Sequence, residues 1–277
     1  MDLSADQQNA ISTLMQWFKN PNKSPYITLG GYAGTGKTTV ISILRNELHL
    51  QNTELSVAFC SYTGKATRVL ANKLKDNSSV FANDTVSTIH SLIYTAMLDD
   101  KTQEVIGWDK RKFLSAHLII VDEASMVDEQ IWRDLLSYKT PIIAVGDHGQ
   151  LPPINSSFNL MENPNLKLEL IHRQAENNPI IELSIMARTT GEIPSGNYGN
   201  HIKKFMRNDM DASESITELL QNYKDDTIVL CGFNTTRTKL NKYVRNSLGF
   251  ESDLPEARDR VICLKNNSQT FITKLFF

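Results

Sequence analysis

The sequence predicts an α/β fold, a parallel sheet with helices on both faces, and three observations carry that expectation. A glycine-rich segment, residues 30–39 (GGYAGTGKTT), follows the apolar run 26–29 and continues as a helical pattern to Leu44. Two other runs, 118–121 (LIIV) and 141–145 (PIIAV), are continuously apolar, as parallel strands buried on both faces must be. Both stop at polar residues, Asp122-Glu123 and Gly146-Asp147-His148, and sheets of this kind bind ligands beyond the carboxyl ends of their strands.

In chain order, residues 1–20 read as a helix, because Ala10, Ile11, Leu14, Trp17 and Phe18 recur at helical spacing. Ser4, with Gln7 three residues on, supplies a capping-box pattern for its start. Residues 20–25 are a turn-rich connector to the first strand. The glycine-rich segment then fits G-x-x-x-x-G-K-[ST], with Gly31, Gly36, Lys37 and Thr38 at the fixed positions. A strand that stops at such a loop and restarts as a helix points a row of backbone N–H groups into one concavity at the positive end of a helix dipole, a cradle for polyphosphate. Gly34 and Gly36 reach backbone angles closed to other residues. Lys37 offers a point charge to β- and γ-phosphates, and the Thr38 hydroxyl suits Mg²⁺, which takes few protein ligands and keeps most of its waters. Thr35 and Thr39 complete the expected nucleotide-binding set with Gly31, Gly34, Gly36, Lys37 and Thr38.

Residues 55–60 form a second short strand, and 61–66 (SYTGKA) lead from it into a helix through Leu74. Thr63, Gly64 and Lys65 read first as a capped turn, and alternatively as a phosphate contact. In 85–94 (TVSTIHSLIY), Thr88 and His90 sit beside apolar positions, where a lone histidine is more often structural. Residues 97–108, inside an insertion of about 95–112, read as a small hairpin turning at Asp99-Asp100. Asp122-Glu123, at the end of a buried strand, matches the pattern in which one carboxylate holds Mg²⁺ and the next polarises the attacking water; a helix-capping pair would account for the same letters.

Gln150 follows the 141–145 strand, with a side chain that both donates and accepts and so can report a γ-phosphate. The stretch 166–170 leads to Arg173, whose guanidinium could reach a phosphate across a cleft. Beyond it the expected elements are a helix at 180–187, a loop at 189–200 (TTGEIPSGNYGN), strands at 227–231 and 260–264, and a basic helix at 235–248.

Composition sets the outer limits. The 277 residues are 40% hydrophobic and 22% charged, enough to bury a core. No apolar run reaches the ~18 residues of a membrane span, and the polar start (MDLSADQQNA) does not read as a secretory signal. Three cysteines, Cys60, Cys231 and Cys263, lack metal-ligand spacing; an odd number of them fits a reducing compartment, without a disulfide framework or zinc site. The expected location is cytoplasmic. A net charge of −2 leaves no global basic footprint, so any nucleic-acid contact must be a local groove.

Taken together, GGYAGTGKTT, SYTGKAT, TVSTIH, IIVDEASMVD, GDHGQLPPI and LIHRQ, in that order, resemble the motif series of superfamily 1 DNA helicases, within them the RecD-like and phage Dda-like 5′-to-3′ group. The resemblance runs from Leu3 to about Asn267. It implies a RecA-like phosphate-loop NTPase domain at residues 1–175 and a partial second RecA-like domain at 176–277, reaching the start of an SH3-like insertion. It implies ATP and Mg²⁺ as cofactors and single-stranded DNA as partner. Carried over position by position, it makes Gln7 the reader of the adenine edge, Thr38 and Asp122 the Mg²⁺ residues, and Glu123 the activator of water. Gln150 becomes the γ-phosphate sensor and Arg173 a stabiliser of charge on the transferred group. Thr63, Lys65, Thr88 and His90 would line the strand track, and the 97–108 hairpin resembles the wedge that splits the duplex. Later family motifs, one with Ser-Gln-Gly and one with a second arginine, have no counterpart before Phe277. The expectation is therefore a truncated motor, or one whose missing motifs another polypeptide supplies.

Overall fold

The computed structural model describes residues 3–100, 105–150, 153, 158–170, 178–206, 208–224, 226–250, 252 and 254–260. The chain divides into two compact units, Met1–Glu176 and Asn177–Phe277.

The first unit is a six-stranded sheet, every neighbouring pair parallel. Its strands are β1 (Tyr26–Gly31), β2 (Val57–Ser61), β3 (Thr85–Thr88), β6 (Leu118–Asp122), β7 (Ile142–Gly146) and β8 (Leu166–Leu168), in the order β3-β2-β6-β7-β1-β8. β4 (Tyr94–Leu98) and β5 (Val105–Lys110) form a separate antiparallel hairpin. The helices are α1 (Ala5–Lys19), α2 (Lys37–Gln51), α3 (Gly64–Asp76), the short α4 (Ile89–Ile93) and α5 (Glu129–Leu136), with a 3-10 turn at Ala124–Met126.

Period-two alternation explains why both faces are covered. Val57 and Phe59 of β2, Leu118 and Ile120 of β6, and Ile143 and Val145 of β7 pack in one cluster with Leu14, Leu44 and Leu70 of α1, α2 and α3. Their neighbours in sequence, Ala58 and Cys60, Ile119 and Val121, Ile142 and Ala144, pack on the opposite face with Ile89, Ile131 and Trp132 of α4 and α5. Burying each large aliphatic side chain contributes about 1.5–3 kcal/mol, so both clusters hold the strands in register. That register levels the carboxyl ends: Ser61 lies opposite Asp122 and Thr88, and Gly30 opposite Gly146.

The second unit contains α6 (Pro179–Thr190), a hairpin of β9 (Gly196–Tyr198) and β10 (Ile202–Lys204), α7 (Met210–Gln221) and α8 (Asn234–Ser247). Two expectations are corrected here. Residues 189–200 are not one loop: Thr189 and Thr190 close α6, Gly191 caps it at φ 75°, and β9 lies inside the stretch. Residues 227–231 form no strand, and Ile228 and Leu230 are 78% and 84% exposed. A buried parallel strand needs ladder partners, and among the described residues none pairs with this one. The strand expected at 260–264 lies outside the described residues but for Arg260. No parallel sheet occurs among the described residues of this unit. No helix among the described residues is long and apolar enough to cross a membrane.

Candidate active site

The phosphate loop sits where β1 reaches the carboxyl edge of the sheet and turns through residues 32–36 into α2. Gly34 and Gly36 have φ of 89° and 83°, in the left-handed region where a side chain is costly. A Cβ on Gly36 would also collide with Nε2 of Gln7. Buried Thr35 closes the turn, its hydroxyl donating to the Tyr32 carbonyl at 2.9 Å. From α1, the buried Gln7 amide accepts from the Ser4 N–H at 3.1 Å and donates to the Thr35 carbonyl at 3.0 Å. The capping role and a grip on the phosphate loop are thus met by one side chain, and Gln7 does not line the cleft in front of the loop.

That cleft has a volume of about 770 Å³. Gly34, Gly36, Lys37, Thr38 and Thr39 line one wall; Asp122, Glu123 and Gln150 arrive from the ends of β6 and β7; Thr63 and Lys65 enter from the start of α3. Gly31 and Thr35 belong to the loop but do not line the cleft. Thr88 and His90 are not among the cleft residues either. Thr88 caps α4 by accepting from the Ser91 N–H at 3.2 Å, and the His90 ring lies 6.1 Å from Tyr62 and 5.7 Å from Tyr94. Arg173 lies outside the described residues.

Lys37 Nζ donates to the carbonyls of Gly31 and Tyr32 at 2.5 and 2.9 Å. Burial holds its pKa below the usual lysine value, against the opposing pull of Asp147, Glu123 and Asp122. Asp122 is pushed up to about 6, first by burial and then by the neighbouring charge of Glu123, while Lys37 and Lys73 act the other way. A carboxylate kept costly in this manner is relieved by a cation beside it. Glu123 takes a left-handed conformation, φ 55°, as the chain leaves β6 for the 3-10 turn. Such a conformation costs a non-glycine residue on the order of 1–3 kcal/mol, and strain of this kind concentrates at functional sites. Gln150 is tied to that turn: its Oε1 accepts from the Ser125 hydroxyl at 2.8 Å, and its Nε2 donates to Glu123 Oε2 at 3.4 Å.

Three residues contribute in ways the sequence alone does not assign. Ser125 is buried and orients Gln150. Buried Asp147 acts on Lys37 and accepts from the Gly149 N–H at 2.8 Å. Lys73 reaches the cleft because α3 turns the face carrying Ala66, Val69, Leu70 and Lys73 toward it. The i, i+3, i+4, i+7 spacing of that face is visible in the sequence, but not which cleft it faces. Chemically, the site offers backbone donors and an ammonium for polyphosphate, hard oxygen donors for a divalent ion, and a carboxylate beside an amide for orienting water.

A family model described as an AAA domain matches residues 2–210. The chain is 32% identical over 188 residues to the RecBCD enzyme subunit RecD of Buchnera aphidicola subsp. Schizaphis graminum, covering 60% of this chain and 31% of that protein. It is 31% identical over 170 residues to the ATP-dependent RecD2 DNA helicase of Deinococcus radiodurans, covering 56% and 21%. With the ATP-dependent DNA helicase dda of Enterobacteria phage T4 the identity is 26% over 276 residues, covering 91% and 58%. The chain thus spans between about a fifth and three-fifths of the length of these relatives.

Proposed function

The chain belongs to the AAA domain family, with relatives among ATP-dependent DNA helicases, and from that premise we propose that its first unit binds MgATP and that the chain uses its hydrolysis to move 5′ to 3′ on single-stranded DNA. The observation that supports this best is the convergence of Lys37, Thr38, Asp122, Glu123 and Gln150 on one cleft from three separate stretches of chain.

In this reading the N–H groups around Gly34 and Gly36 and the Lys37 ammonium hold the β- and γ-phosphates, with Thr39 at the start of α2 beside them. Thr38 and Asp122 would hold a Mg²⁺ ion, which neutralises charge on the phosphate oxygens when bound. Glu123 orients the attacking water and accepts its proton, and Gln150, fixed by Ser125, senses whether the γ-phosphate is present. Gln7 positions the loop, and reading the adenine edge would require its amide to turn away from the Thr35 carbonyl; Arg173 stabilises charge on the transferred group. Phosphoryl transfer owes most of its acceleration to positioning and electrostatics, so small movements of Gln150 and Glu123 translate into large changes of rate. Thr63, Lys65, Thr88 and His90 form the strand track, with Thr63 and Lys65 bordering the nucleotide cleft itself. In the same reading, residues 176–277 belong to a second RecA-like domain.

The test is steady-state ATP hydrolysis by the purified chain, with and without single-stranded DNA, beside Lys37→Ala. DNA-stimulated turnover that the substitution abolishes supports the motor reading; turnover indifferent to Lys37 rejects it. A second reading, a nucleotide-binding fragment or split-enzyme half without unwinding of its own, is favoured by one observation: the described residues of the second unit form no parallel sheet. It predicts weak or absent strand separation by this chain on a duplex with a 5′ tail. Robust unwinding by this chain alone would remove it.

A further inference from the structure

Among the described residues, three lysines line the nucleotide cleft: Lys37, Lys65 and Lys73. In the reading above Lys37 serves the phosphates and Lys65 the strand track, which leaves Lys73 without a role. The same cleft carries the carboxylates of Asp76, Asp122, Glu123 and Asp147, so a polyphosphate entering it needs more positive charge than Lys37 alone supplies. Lys73 is fixed at its base. Leu70, one turn before it, and Leu74, next to it, are buried, and Asn77, one turn later, donates from Nδ2 to Ser42 Oγ of α2 at 3.1 Å. That bond holds the end of α3 alongside the helix that begins with Lys37 and Thr38. The head of Lys73 is free: the residue is half-buried, yet it forms no ion pair and no side-chain hydrogen bond among the described residues. Removing water from an ammonium without giving it a partner costs stability. Its charge is felt across the cleft. Burial is the first cause of the lowered pKa of Lys37 and of the raised pKa of Asp122, and Lys73 adds to the former and opposes the latter. A lysine in the last turn of a helix also complements the helix dipole, but Lys75 shares that turn and is exposed outside the cleft, so it separates the two roles.

We propose that Lys73 is a phosphate-binding residue that brings a second ammonium from α3 onto the terminal phosphate of a nucleoside triphosphate, so that the cleft prefers the triphosphate to the diphosphate. The proposal rests on the nucleotide reading above. Glu123 can direct water only at the terminal phosphate, which places that group beside the acidic pair at the end of β6, and Lys73 acts on the same pair from α3. An ammonium in a partly desolvated cleft attracts an anion more strongly than it does in water.

The experiment measures, by titration calorimetry with Mg²⁺ present, the affinity of the full chain for the slowly hydrolysed triphosphate ATPγS and for ADP. The variants are Lys73→Gln, Lys73→Met, Lys73→Arg and Lys75→Gln; Lys73→Met keeps the stem and carries the test should Lys73→Gln fold poorly. The expected result in the neutral Lys73 variants is ATPγS affinity lower by about tenfold or more, with ADP affinity changed by less than about threefold. Lys73→Arg should keep most of the wild-type preference and Lys75→Gln all of it. An unchanged ATPγS affinity, equal losses for both nucleotides, a Lys73→Arg that behaves like the neutral variants, the same loss in Lys75→Gln, or a wild type without preference each overturns the proposal. Failure of the nucleotide reading is seen separately, as a wild type that binds neither nucleotide or binds them no better than Lys37→Ala, and takes the proposal with it.

Discussion

Lys37 shows how function and stability pull apart at a single residue. Its ammonium is drawn below its normal pKa by burial, which means the folded state carries a desolvated charge that the unfolded chain hydrates freely. Lys37→Met removes that penalty and keeps most of the stem. The expected outcome is ATP turnover lower by about 100-fold or more together with a thermal midpoint equal to or above that of the wild type, measured by calorimetry without nucleotide. A large fall in the midpoint would show that the two carbonyl bonds of Nζ stabilise the loop more than burial costs it. Gly36 is the counterpart with no such freedom, since both its left-handed φ and the nearness of Gln7 exclude a side chain.

At the scale of elements, a buried ion pair joins the phosphate-loop helix to the sheet edge. Arg45 of α2 donates from Nε to Asp84 Oδ2 at 2.9 Å and from Nη2 to Oδ1 at 3.0 Å, and neither side chain is exposed. Asp84 also accepts from the N–H groups of Val57 and Phe81 at 2.9 and 3.0 Å, tying α2, the start of β2 and the loop before β3 into one knot. Asp84→Ala leaves a buried guanidinium unpaired and should cost about 3–5 kcal/mol; Arg45→Met placed on top should recover part of it. Urea titrations of the single and double variants would check this. The base of the β4–β5 hairpin, where Tyr94 Oη and Lys110 Nζ both donate to the Asp134 carboxylate of α5, gives a pH prediction. Burial raises the Asp134 carboxyl, but hydrogen bonds from Tyr94, Lys110 and Gln130 outweigh it and hold the group below the usual carboxylate range. A folded pKa below the unfolded one means the stabilisation is complete above the unfolded value and is lost as pH falls through the folded one. Order in the hairpin, followed by Trp108 fluorescence, should therefore fall off below about pH 4, and Asp134→Asn should remove that dependence.

At the scale of the molecule, apolar burial is concentrated in the first unit. Its two clusters cover both faces of the sheet, whereas Ala212 is the one buried hydrophobic residue among the described residues of the second unit. Local opening free energy follows buried contact. Amides of β2, β6 and β7 should exchange slowest, and those of α7 and α8 faster by orders of magnitude, as read by hydrogen-exchange mass spectrometry of the whole chain. Uniform protection across both units would contradict this. The exposed 227–231 segment marks the same contrast, being strand-like in composition and without a ladder.

Most of the first unit was legible because its signals are local. The continuous apolar runs at 118–121 and 141–145 fit strands covered on both faces, and Gly31, Gly36, Lys37 and Thr38 match a phosphate loop by spacing, with an apolar run before and a helical pattern after as its context. Asp122 and Glu123 were readable as the end of a buried strand. The 227–231 run was misread for the complementary reason: apolar composition states a preference, while a strand exists only where another strand accepts its hydrogen bonds. Ser125 and Lys73 were silent, and Asp147 was legible only as a polar residue at a strand end, because a serine, a helical lysine and an aspartate have no assigned partner until packing turns them toward one cleft. The dual engagement of Gln7, the Arg45–Asp84 knot and the convergence of Tyr94 and Lys110 on Asp134 likewise join residues far apart along the chain. By itself, then, the sequence determined the parallel α/β layering, the phosphate loop and the acidic pair, because period and spacing act between near neighbours. The tertiary structure alone decided which side chains share the cleft, which carboxylates are desolvated and what holds the hairpin, because burial and long-range contacts exist only once the sheet has brought distant strands together.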